Sequence, residues 1–186
     1  MTRSEEGHPV RVWPALGAIG ARQGADRRDV VVIVDALRAS ATVVAALQVG
    51  ARRVIPVRSV REASAYLVNP DYRVVGERGG ARLAQFHYGN SPSEILAHEA
   101  EIAGRLLVLT TSNGTQCMSA ALPGATSVLV GSVVNAAAVA SAALALARYH
   151  GCGITLVAAG LEASLLTRTP LALRCWRGGW SEGVRC

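Results

Sequence analysis

The sequence predicts an α/β fold in which helices cover both faces of a mostly parallel or mixed central sheet. Short apolar segments alternate along the chain with longer segments of helical periodicity, which is typical of strand–helix–strand units. The segment at 30–34 reads Val-Val-Val-Ile-Val and has no polar face, as expected of a parallel strand that is buried on both sides. Polar clusters directly follow several of these strands, and ligands of such folds bind at the carboxyl ends of strands.

Local signals set the boundaries of the predicted elements. Gly50 suits the left-handed conformation that often follows a helix, so the helix before it ends there. Ser59 and Glu62 form a capping box, and Ser91 with Pro92 begins another helix. Strands are predicted at 10–13, 30–34, 53–57, 73–75, 106–110, 126–130 and 154–158, helices at 40–49, 59–68, 91–104, 114–121 and 135–149, a glycine- and arginine-rich connection at 14–29 and a loop at 76–90.

Composition excludes several classes of function. The chain has 186 residues, enough for one domain, with a formal net charge of +6, and its 19 basic residues are all arginines. Without lysine there can be no lysine nucleophile, Schiff base or P-loop. The arginines are scattered rather than arranged as a stripe with aromatic residues, so we predict no nucleic-acid partner.

The cysteines and the apolar segments indicate a cytoplasmic location. The four cysteines form no C-x-x-C pair and have no metal-ligand spacing, so we interpret them as reduced thiols. The first ten residues contain acidic side chains and no apolar signal segment, and no apolar run is long enough to span a bilayer. We predict a cytoplasmic protein that does not enter the membrane; a homo-oligomer is compatible with the sequence.

Carboxylates are scarce at the predicted strand ends. Asp35 and Glu77 lie directly downstream of apolar strand residues, and no Asp or Glu occurs between Glu101 and Glu162. Mg²⁺ typically takes one or two carboxylates together with water and substrate phosphate, so these two side chains suffice for Mg²⁺ but not for a calcium cage. We predict that Asp35 and Glu77 are ligands of Mg²⁺. Alternatively, Asp35 is a strand-end carboxylate that accepts backbone N–H bonds and pairs with Arg38.

Two loops have the composition of anion sites. In Gly-Glu-Arg-Gly-Gly at 76–80, the glycines allow the backbone to approach an anion, and Arg78 offers a bidentate fork to phosphate or carboxylate. In Thr-Thr-Ser-Asn-Gly-Thr at 110–115, hydroxyl and amide groups precede the amino terminus of a helix. Either segment alone is also compatible with an ordinary turn. Among the histidines, His87 is the better candidate for an acid or base because it lies in the loop at 76–90.

The polar clusters form five ordered motifs, which are Asp35-x-x-Arg38-Ala39-Ser40, Gly76-Glu77-Arg78-Gly79-Gly80, Gly89-Asn90-Ser91-Pro92, Thr110-Thr111-x-Asn113-Gly114-Thr115 and Gly131-Ser132-x-x-Asn135. In order and spacing, over residues 10–160, they resemble the motifs of the 2-phosphosulfolactate phosphatase (ComB) family. The resemblance implies a three-layer α/β/α fold and a Mg²⁺-dependent phosphatase that hydrolyses 2-phosphosulfolactate to sulfolactate in coenzyme M biosynthesis.

The residues and the resemblance together predict metal-assisted hydrolysis of a small anionic phosphate monoester. A covalent aspartyl-phosphate on Asp35 and attack by a metal-bound water are both compatible with the sequence. A non-catalytic or impaired member that only binds anions is the alternative function. The predicted catalytic residues are Asp35, Arg38, Arg78 and Asn113, the metal ligands are Asp35 and Glu77, and the substrate-binding residues are Ser40, Gly79, Gly80, Asn90, Ser91, Thr111, Gly114 and Thr115.

The segment at 161–186 departs from the family pattern. It contains two of the three tryptophans and two of the four cysteines, and it has no amphipathic period. A truncated or frame-altered chain would have such a composition. We therefore predict that residues 1–160 form a single, incomplete phosphatase-like domain, and that the tail packs weakly and leaves the sheet partly uncovered.

Overall fold

Strands and helices alternate in the computed structural model, which describes residues 9–35, 38–160 and 184–185. The strands are β1 (Val10–Leu16), β2 (Val30–Val34), β3 (Arg53–Pro56), β4 (Tyr72–Arg78), β5 (Ala81–Arg82), β6 (Leu106–Thr110), β7 (Ser127–Gly131), β8 (Ile154–Ala158) and β9 (Val184–Arg185). The helices are α1 (Gly17–Asp26), α2 (Ala39–Gln48), α3 (Val60–Ser64), α4 (Pro92–Ala97), α5 (Glu99–Ile102), α6 (Gly114–Ala121) and α7 (Ala136–His150).

The strands form two sheets, where the sequence indicated one central sheet. One sheet has the order β7-β2-β8-β1-β9 and the other has the order β3-β6-β4-β5. All pairs in the first sheet are parallel, and the second sheet is parallel except for β5, which pairs with β4 in the antiparallel direction. The prediction of mostly parallel or mixed strand directions is therefore confirmed.

Strand β2 is buried on both faces because side chains alternate along a strand and both faces are covered. Val30 and Val32 pack in a cluster with Ala143 and Ala147 of α7. The intervening Ile33 packs instead with residues of α1 and α6. The continuous apolar run fits the position of β2 inside the sheet, between β7 and β8, and the predicted burial on both sides is confirmed.

The four-stranded sheet has the same layered construction. Leu107 and Leu109 of β6 pack with residues of α2, α4 and α5. Val108, on the opposite face, packs with Val57 and with Ala63 of α3. Helices therefore cover both faces of each sheet, and the predicted α/β/α arrangement is confirmed.

Helix α1 replaces the glycine- and arginine-rich connection that the sequence predicted. Its glycines lie at close contacts: a Cβ at Gly20 would lie 2.7 Å from the Cβ of Ala15, and one at Gly24 would lie 2.8 Å from the Cβ of Thr155. The glycines thus allow the helix to lie against the sheet rather than break it. The prediction was wrong because glycine signals either a turn or a close approach, and sequence alone does not distinguish them.

Strand β4 continues through Arg78 into part of the segment predicted as a loop. Gly79 and Gly80 join β4 to β5 in a two-residue turn with φ angles of +60° and +85°. Positive φ at both central positions is typical of the type I′ hairpin turn, which strongly favours glycine or asparagine. The glycine pair therefore forms the turn of a β-hairpin. The segment was predicted as a loop because its polar composition is not typical of a buried strand.

The predicted helix boundaries are confirmed at their caps, but two helices are shorter. The Ser59 hydroxyl accepts a hydrogen bond from the Glu62 N–H at 3.1 Å, and the Ser91 hydroxyl caps α4. Gly50 has the expected positive φ, +87°. The segment predicted as a helix at 59–68 is helical only over α3, and that at 91–104 divides into α4 and α5 near His98.

The strand registers bring the carboxyl ends of several strands to the same level. Val34 of β2 pairs with Gly131 and Ala158, and Gly76 of β4 pairs with Thr110 of β6. The predictions for the tail at 161–186 lie outside the described residues, apart from β9, which pairs with β1. Among the helices of the described part of the chain, none has the length and apolar character needed to cross a bilayer.

Candidate functional site

A cavity of about 300 Å³ lies where the two sheets meet, at the carboxyl ends of their strands. The five-stranded sheet contributes the residues after β2 and β8. The four-stranded sheet contributes Glu77 at the end of β4, the turn that follows it and the residues after β6, and Asn90 lies just before α4. Eight of the predicted site residues line it, together with three that were not predicted. The lining residues are Asp35, Arg38, Glu77, Gly79, Gly80, Asn90, Thr111, Ser112, Asn113, Ala159 and Gly160.

Asp35 is held between the first turns of two helices. Its N–H donates to the hydroxyl of Ser40 in α2 at 3.2 Å, so Ser40 fixes the chain and does not line the cavity. A Cβ at Gly114 of α6 would lie 2.9 Å from Oδ2 of Asp35, so only glycine lets the carboxylate lie this close. Negative charge is favourable at the amino terminus of a helix.

The effect of this carboxylate extends to a buried thiol. Burial raises the pKa of Cys117 to about 11, and the charge of Asp35 contributes to that rise. Cys117 is therefore a protonated core residue at neutral pH. Since it packs with Ala21 and Ile33, it belongs to the core and not to the reactive part of the site.

The Glu77 carboxylate joins the two loops of the four-stranded sheet. Oε1 accepts a hydrogen bond from the Ser112 N–H at 2.8 Å, and Oε2 accepts from the Gly80 N–H at 2.6 Å. The Ser112 hydroxyl donates to Oε2 at 3.3 Å. Burial raises the pKa of Glu77, but these hydrogen bonds outweigh it and hold the pKa below its ordinary value. Glu77 is therefore a carboxylate at neutral pH that fixes both loops.

Ser112 is the principal residue that sequence reasoning missed. Its backbone and hydroxyl both bind Glu77, and the hydroxyl also accepts a weak bond from the Gly79 N–H at 3.4 Å. The signal was present, since Ser112 lies inside the Thr-Thr-Ser-Asn-Gly-Thr segment. It was not decisive because serine is common in turns of no functional importance.

The two predicted arginines are placed differently. Arg38 lines the cavity, and its Nη2 donates to the carbonyl of Gly80 at 3.1 Å. Its other guanidinium N–H groups bond to no residue that the structure describes, so a ligand can accept from them. Arg78 does not line the cavity. Its Nη1 donates to the carbonyl of Glu77 and its Nη2 to the hydroxyl of Thr110 at 2.8 Å. Successive residues of a strand point to opposite faces, so Glu77 and Arg78 cannot both face the cavity.

Two asparagines present amide groups to the cavity. Asn90 is buried, and its Oδ1 has no hydrogen-bond partner among the described residues. Asn113 precedes α6, but its side chain makes none of the capping bonds usual at that position. Since a buried polar atom without a partner is costly, the Oδ1 of Asn90 is a candidate contact for a metal ion or a ligand.

The remaining predicted residues support the site from outside the cavity or at its edge. Thr111 and Thr115 bond reciprocally: the Thr115 hydroxyl accepts from the Thr111 N–H at 3.1 Å, and the Thr111 hydroxyl accepts from the Thr115 N–H at 3.2 Å. Ser91 caps α4, which follows directly after Asn90. Of these, only Thr111 and Asn90 line the cavity. Ser91 and Thr115 hold the loops in place.

His87 is not placed to act as the acid or base of this cavity. Its Nδ1 accepts a hydrogen bond from the Val74 N–H at 3.0 Å, and it does not line the cavity. Burial, reinforced by the charges of Arg73 and Arg82, lowers the pKa of His87. The imidazole is therefore neutral at physiological pH and has a structural role beside β4.

The polar groups on the wall have the chemistry of a hard-cation site. Asp35 and Glu77 supply carboxylate oxygens, and Asn90 supplies an amide oxygen without a partner. Oxygen donors of this kind suit Mg²⁺, which also keeps several water ligands. In the described part of the chain, no three His, Cys, Asp or Glu side chains converge, so a dedicated all-protein cage is absent there.

The fold and this cavity define an α/β protein with an arginine- and carboxylate-lined cavity at the carboxyl ends of its strands. The family model described as 2-phosphosulpholactate phosphatase matches residues 20–167. The chain therefore belongs to the 2-phosphosulfolactate phosphatase family, which confirms the resemblance in the five motifs.

Individual relatives agree with this assignment. A Deinococcus radiodurans protein named "Probable 2-phosphosulfolactate phosphatase" is 39% identical over 135 residues, 72% of this chain and 54% of the relative. One of the same name from Thermus thermophilus is 39% identical over 134 residues, 72% of this chain and 54% of the relative. The 2-phosphosulfolactate phosphatase of Methanothermobacter thermautotrophicus is 46% identical over 112 residues, 60% of this chain and 45% of the relative. The chain spans about half the length of the curated relatives it matches.

Proposed function

We propose that the protein is a Mg²⁺-dependent phosphatase that hydrolyses a small anionic phosphate monoester, 2-phosphosulfolactate, to sulfolactate and phosphate in coenzyme M biosynthesis. The observation that carries the proposal is the convergence of Asp35, Arg38 and Glu77 on one cavity. Family membership and the names of the relatives supply the substrate.

The cavity offers several contacts for a substrate with three anionic groups. The Arg38 guanidinium can pair with an anionic oxygen, and Arg38 also precedes α2, whose amino terminus favours negative charge. Asn113 at the start of α6 would donate through its amide to another such oxygen. These groups bind and orient the ester, and they stabilise the charge that develops on the phosphoryl oxygens.

Mg²⁺ would be held by Asp35, Glu77 and Asn90, directly or through water, and it supplies Lewis-acid stabilisation of the phosphoryl group. Glu77 has a lowered pKa, so it stays ionised at neutral pH and does not donate a proton to the leaving oxygen. Its hydrogen bonds to Ser112 and Gly80 keep the two loops in register around the substrate.

The setting of this activity is part of the same proposal. We place the enzyme in the cytoplasm, acting on a small molecule without a nucleic-acid partner. In support, the cysteines that the structure describes, Cys117 and Cys152, are free thiols, as expected of a reducing compartment. A homo-oligomer is compatible with this function.

Phosphate release from 2-phosphosulfolactate tests the proposal. We expect release by the full chain with added Mg²⁺ and its loss with a chelator. Asp35→Asn should lower kcat/KM by about 100-fold or more, because it removes a charge next to the reacting group. The matched control is Asp26→Asn, which changes an exposed carboxylate on α1 that pairs with Arg22.

Three results would contradict the proposal. Turnover that is unaffected by the chelator would show that hydrolysis does not need Mg²⁺. Wild-type turnover by Asp35→Asn would show that hydrolysis does not need the carboxylate of Asp35. If neither 2-phosphosulfolactate nor any other monoester in a substrate screen is hydrolysed, but phosphate still raises the unfolding temperature, the protein is a non-catalytic anion-binding member of the family.

A further inference from the structure

A second cavity, of about 900 Å³, lies at the opposite end of the five-stranded sheet. We call it the amino-end cleft, because its walls include the residues at the amino ends of β1, β2 and β8 and at the carboxyl end of α7. The candidate functional site lies at the carboxyl ends of the same strands. Its lining includes Arg11, Trp13, Arg27, Arg28, Asp29 and Arg148.

The cleft carries an excess of positive charge. Asp29 is the one carboxylate among its lining residues, and it is buried and bonded internally: Oδ2 accepts from Nε of Arg27 at 3.0 Å and from the hydroxyl of Thr155 at 2.6 Å. The charge of Asp29 is thus balanced by Arg27. Three arginines on the cleft wall have side chains without a hydrogen bond or ion pair to any residue that the structure describes, namely Arg11, Arg28 and Arg148.

The neighbouring residues Arg27 and Arg28 are both held in defined positions on the cleft wall. Arg27 also donates from Nη2 to the hydroxyl of Thr155 at 2.9 Å, and its guanidinium lies 5.5 Å from the ring centroid of Trp13. Arg28 has a left-handed backbone, with φ of +56°, and its carbonyl accepts a hydrogen bond from the hydroxyl of Thr126. Left-handed backbone is uncommon for arginine, so this bond helps to fix the direction of the chain at the cleft.

We propose that the amino-end cleft binds a small oligophosphate, meaning a ligand with two or more linked phosphate groups. Three guanidinium groups that no carboxylate among the described residues neutralises call for a ligand of about three negative charges or more, which exceeds the charge of a single monoester. Guanidinium forks match phosphate oxygens in geometry. The volume falls in the range of small-molecule sites, about 300–1,000 Å³, and the arginines are grouped in one concave site rather than along an extended surface.

This inference does not rest on the phosphatase proposal, since no residue lines both cavities. The test is calorimetric titration of the full chain with inorganic tripolyphosphate at constant ionic strength. The cleft variant is Arg28→Gln/Arg148→Gln. The controls are Arg61→Gln/Arg52→Gln, which removes the same charge from exposed positions outside the cleft, and Arg38→Gln, which alters the other cavity.

We expect the cleft variant to bind tripolyphosphate at least about tenfold more weakly, because it loses two charge-assisted contacts. Both control proteins, Arg61→Gln/Arg52→Gln and Arg38→Gln, should still bind tripolyphosphate in the cleft with the wild-type Kd. Arg148→Gln alone, an exposed and uncharged change at the end of α7, should weaken binding in the same direction with a nearly unchanged unfolding temperature. Unchanged binding by the cleft variant, or an equal loss in Arg61→Gln/Arg52→Gln, would overturn the proposal. So would tighter binding of a single-stranded oligonucleotide than of tripolyphosphate, since that would identify a nucleic-acid surface.

Discussion

At the scale of single residues, Glu77 and Gly114 each fix the position of other residues in the site. Glu77 holds the backbone of two loops, and Gly114 makes room for the carboxylate of Asp35. Glu77 accepts bonds from both Gly80 and Ser112, so one carboxylate fixes two loops. Gly114 has no side chain, and for that reason Asp35 can lie against the first turn of α6. A substitution of Glu77 should therefore affect the stability of the loops, whereas a substitution of Gly114 should displace Asp35 and affect turnover. Separate experiments can measure the two effects.

Glu77→Gln should make the stability of the protein less dependent on pH in the acid range. The pKa of Glu77 is lowered in the folded state, so its carboxylate stabilises the fold above the ordinary pKa, about 4.3, and this stabilisation is lost as the pH falls through the folded pKa. We expect Glu77→Gln to cost about 2 kcal/mol of unfolding free energy at pH 7, as a charged hydrogen-bond acceptor is lost. The difference should shrink below about pH 4.

Urea unfolding between about pH 3 and pH 7 measures this difference. The control is Glu99→Gln, an exposed carboxylate at the start of α5, which should lie close to wild type throughout. A constant difference at all pH values would mean that the hydrogen bonds of Glu77 do not favour its ionised form.

Gly114→Ala should impair the site more than the fold. The new Cβ would lie 2.9 Å from Oδ2 of Asp35 and 3.0 Å from the Cβ of Ala39, so either the carboxylate or the helix must move. A displaced reacting group commonly costs about 100-fold in turnover. Phosphate release and the unfolding temperature should be measured together, with Ser119→Ala in the same helix as the control. Wild-type turnover by Gly114→Ala would show that Asp35 need not lie against α6.

At the scale of elements, the β4–β5 hairpin carries Glu77 at the end of a strand and Gly80 just beyond a tight turn. The turn requires left-handed backbone at both of its central residues. At Gly79 a Cβ would have no heavy atom within 4 Å, so a side chain there meets no steric obstacle from neighbouring residues. The conformational demand of the turn can therefore be tested without a change in packing.

Gly79→Val and Gly79→Asn should differ although both add a side chain in open space. Left-handed backbone is costly for valine, by about 1–2 kcal/mol, whereas asparagine tolerates it and is favoured before glycine in type I′ turns. We expect Gly79→Val to lower the unfolding free energy by this amount and Gly79→Asn to remain near wild type. Equal effects of the two substitutions would show that the turn does not hold the conformation described.

The sequence predicted those elements whose signal is local. The apolar run of β2, the caps at Ser59 and Ser91, and the polar residues after β2, β4 and β6 are readable because each depends on neighbours in the chain. Asp35 and Glu77 could thus be placed near one cavity before the fold was known, whereas Asn90 was predicted only from the resemblance to the family.

The rest could not be predicted because it depends on distant contacts. A Cβ at Gly76 would clash with the carbonyl oxygen of Thr110, so this glycine allows β4 to pair with β6, although its sequence context is typical of the start of a loop. Strand alternation does not apply to a predicted loop, so nothing in the sequence separates Glu77 from Arg78. In the structure the two residues lie on opposite faces of β4.

At the scale of the whole molecule, the candidate site lies between two sheets that share no strand. Asp35, Ala159 and Gly160 belong to one sheet, whereas Glu77 and Ser112 belong to the other. Arg38 already bridges them, since it follows β2 and donates to the carbonyl of Gly80. A ligand in the cavity would contact both sheets, and its binding energy would oppose their separation.

Phosphate binding should therefore slow amide hydrogen exchange on both sides of the cavity. We expect protection at residues 77–80 and 111–113 of one sheet and at 159–160 of the other, because local opening of either would break contacts with the ligand. Arg38→Gln should weaken the protection on both sides, while Arg61→Gln should not. Protection confined to one sheet would show that the anion binds to a single loop rather than between the sheets.

The strand order also has a consequence for synthesis. Strand β2 pairs with β7 and β8, which follow it by about a hundred residues, so its five apolar residues have no sheet partner when they leave the ribosome. Pairings of such long range close slowly, and unpaired apolar strands are prone to aggregate before closure. We expect the nascent chain to need protection by chaperones until β8 has emerged. Strand β2 is thus among the first segments to be translated and among the last to be enclosed in the sheet.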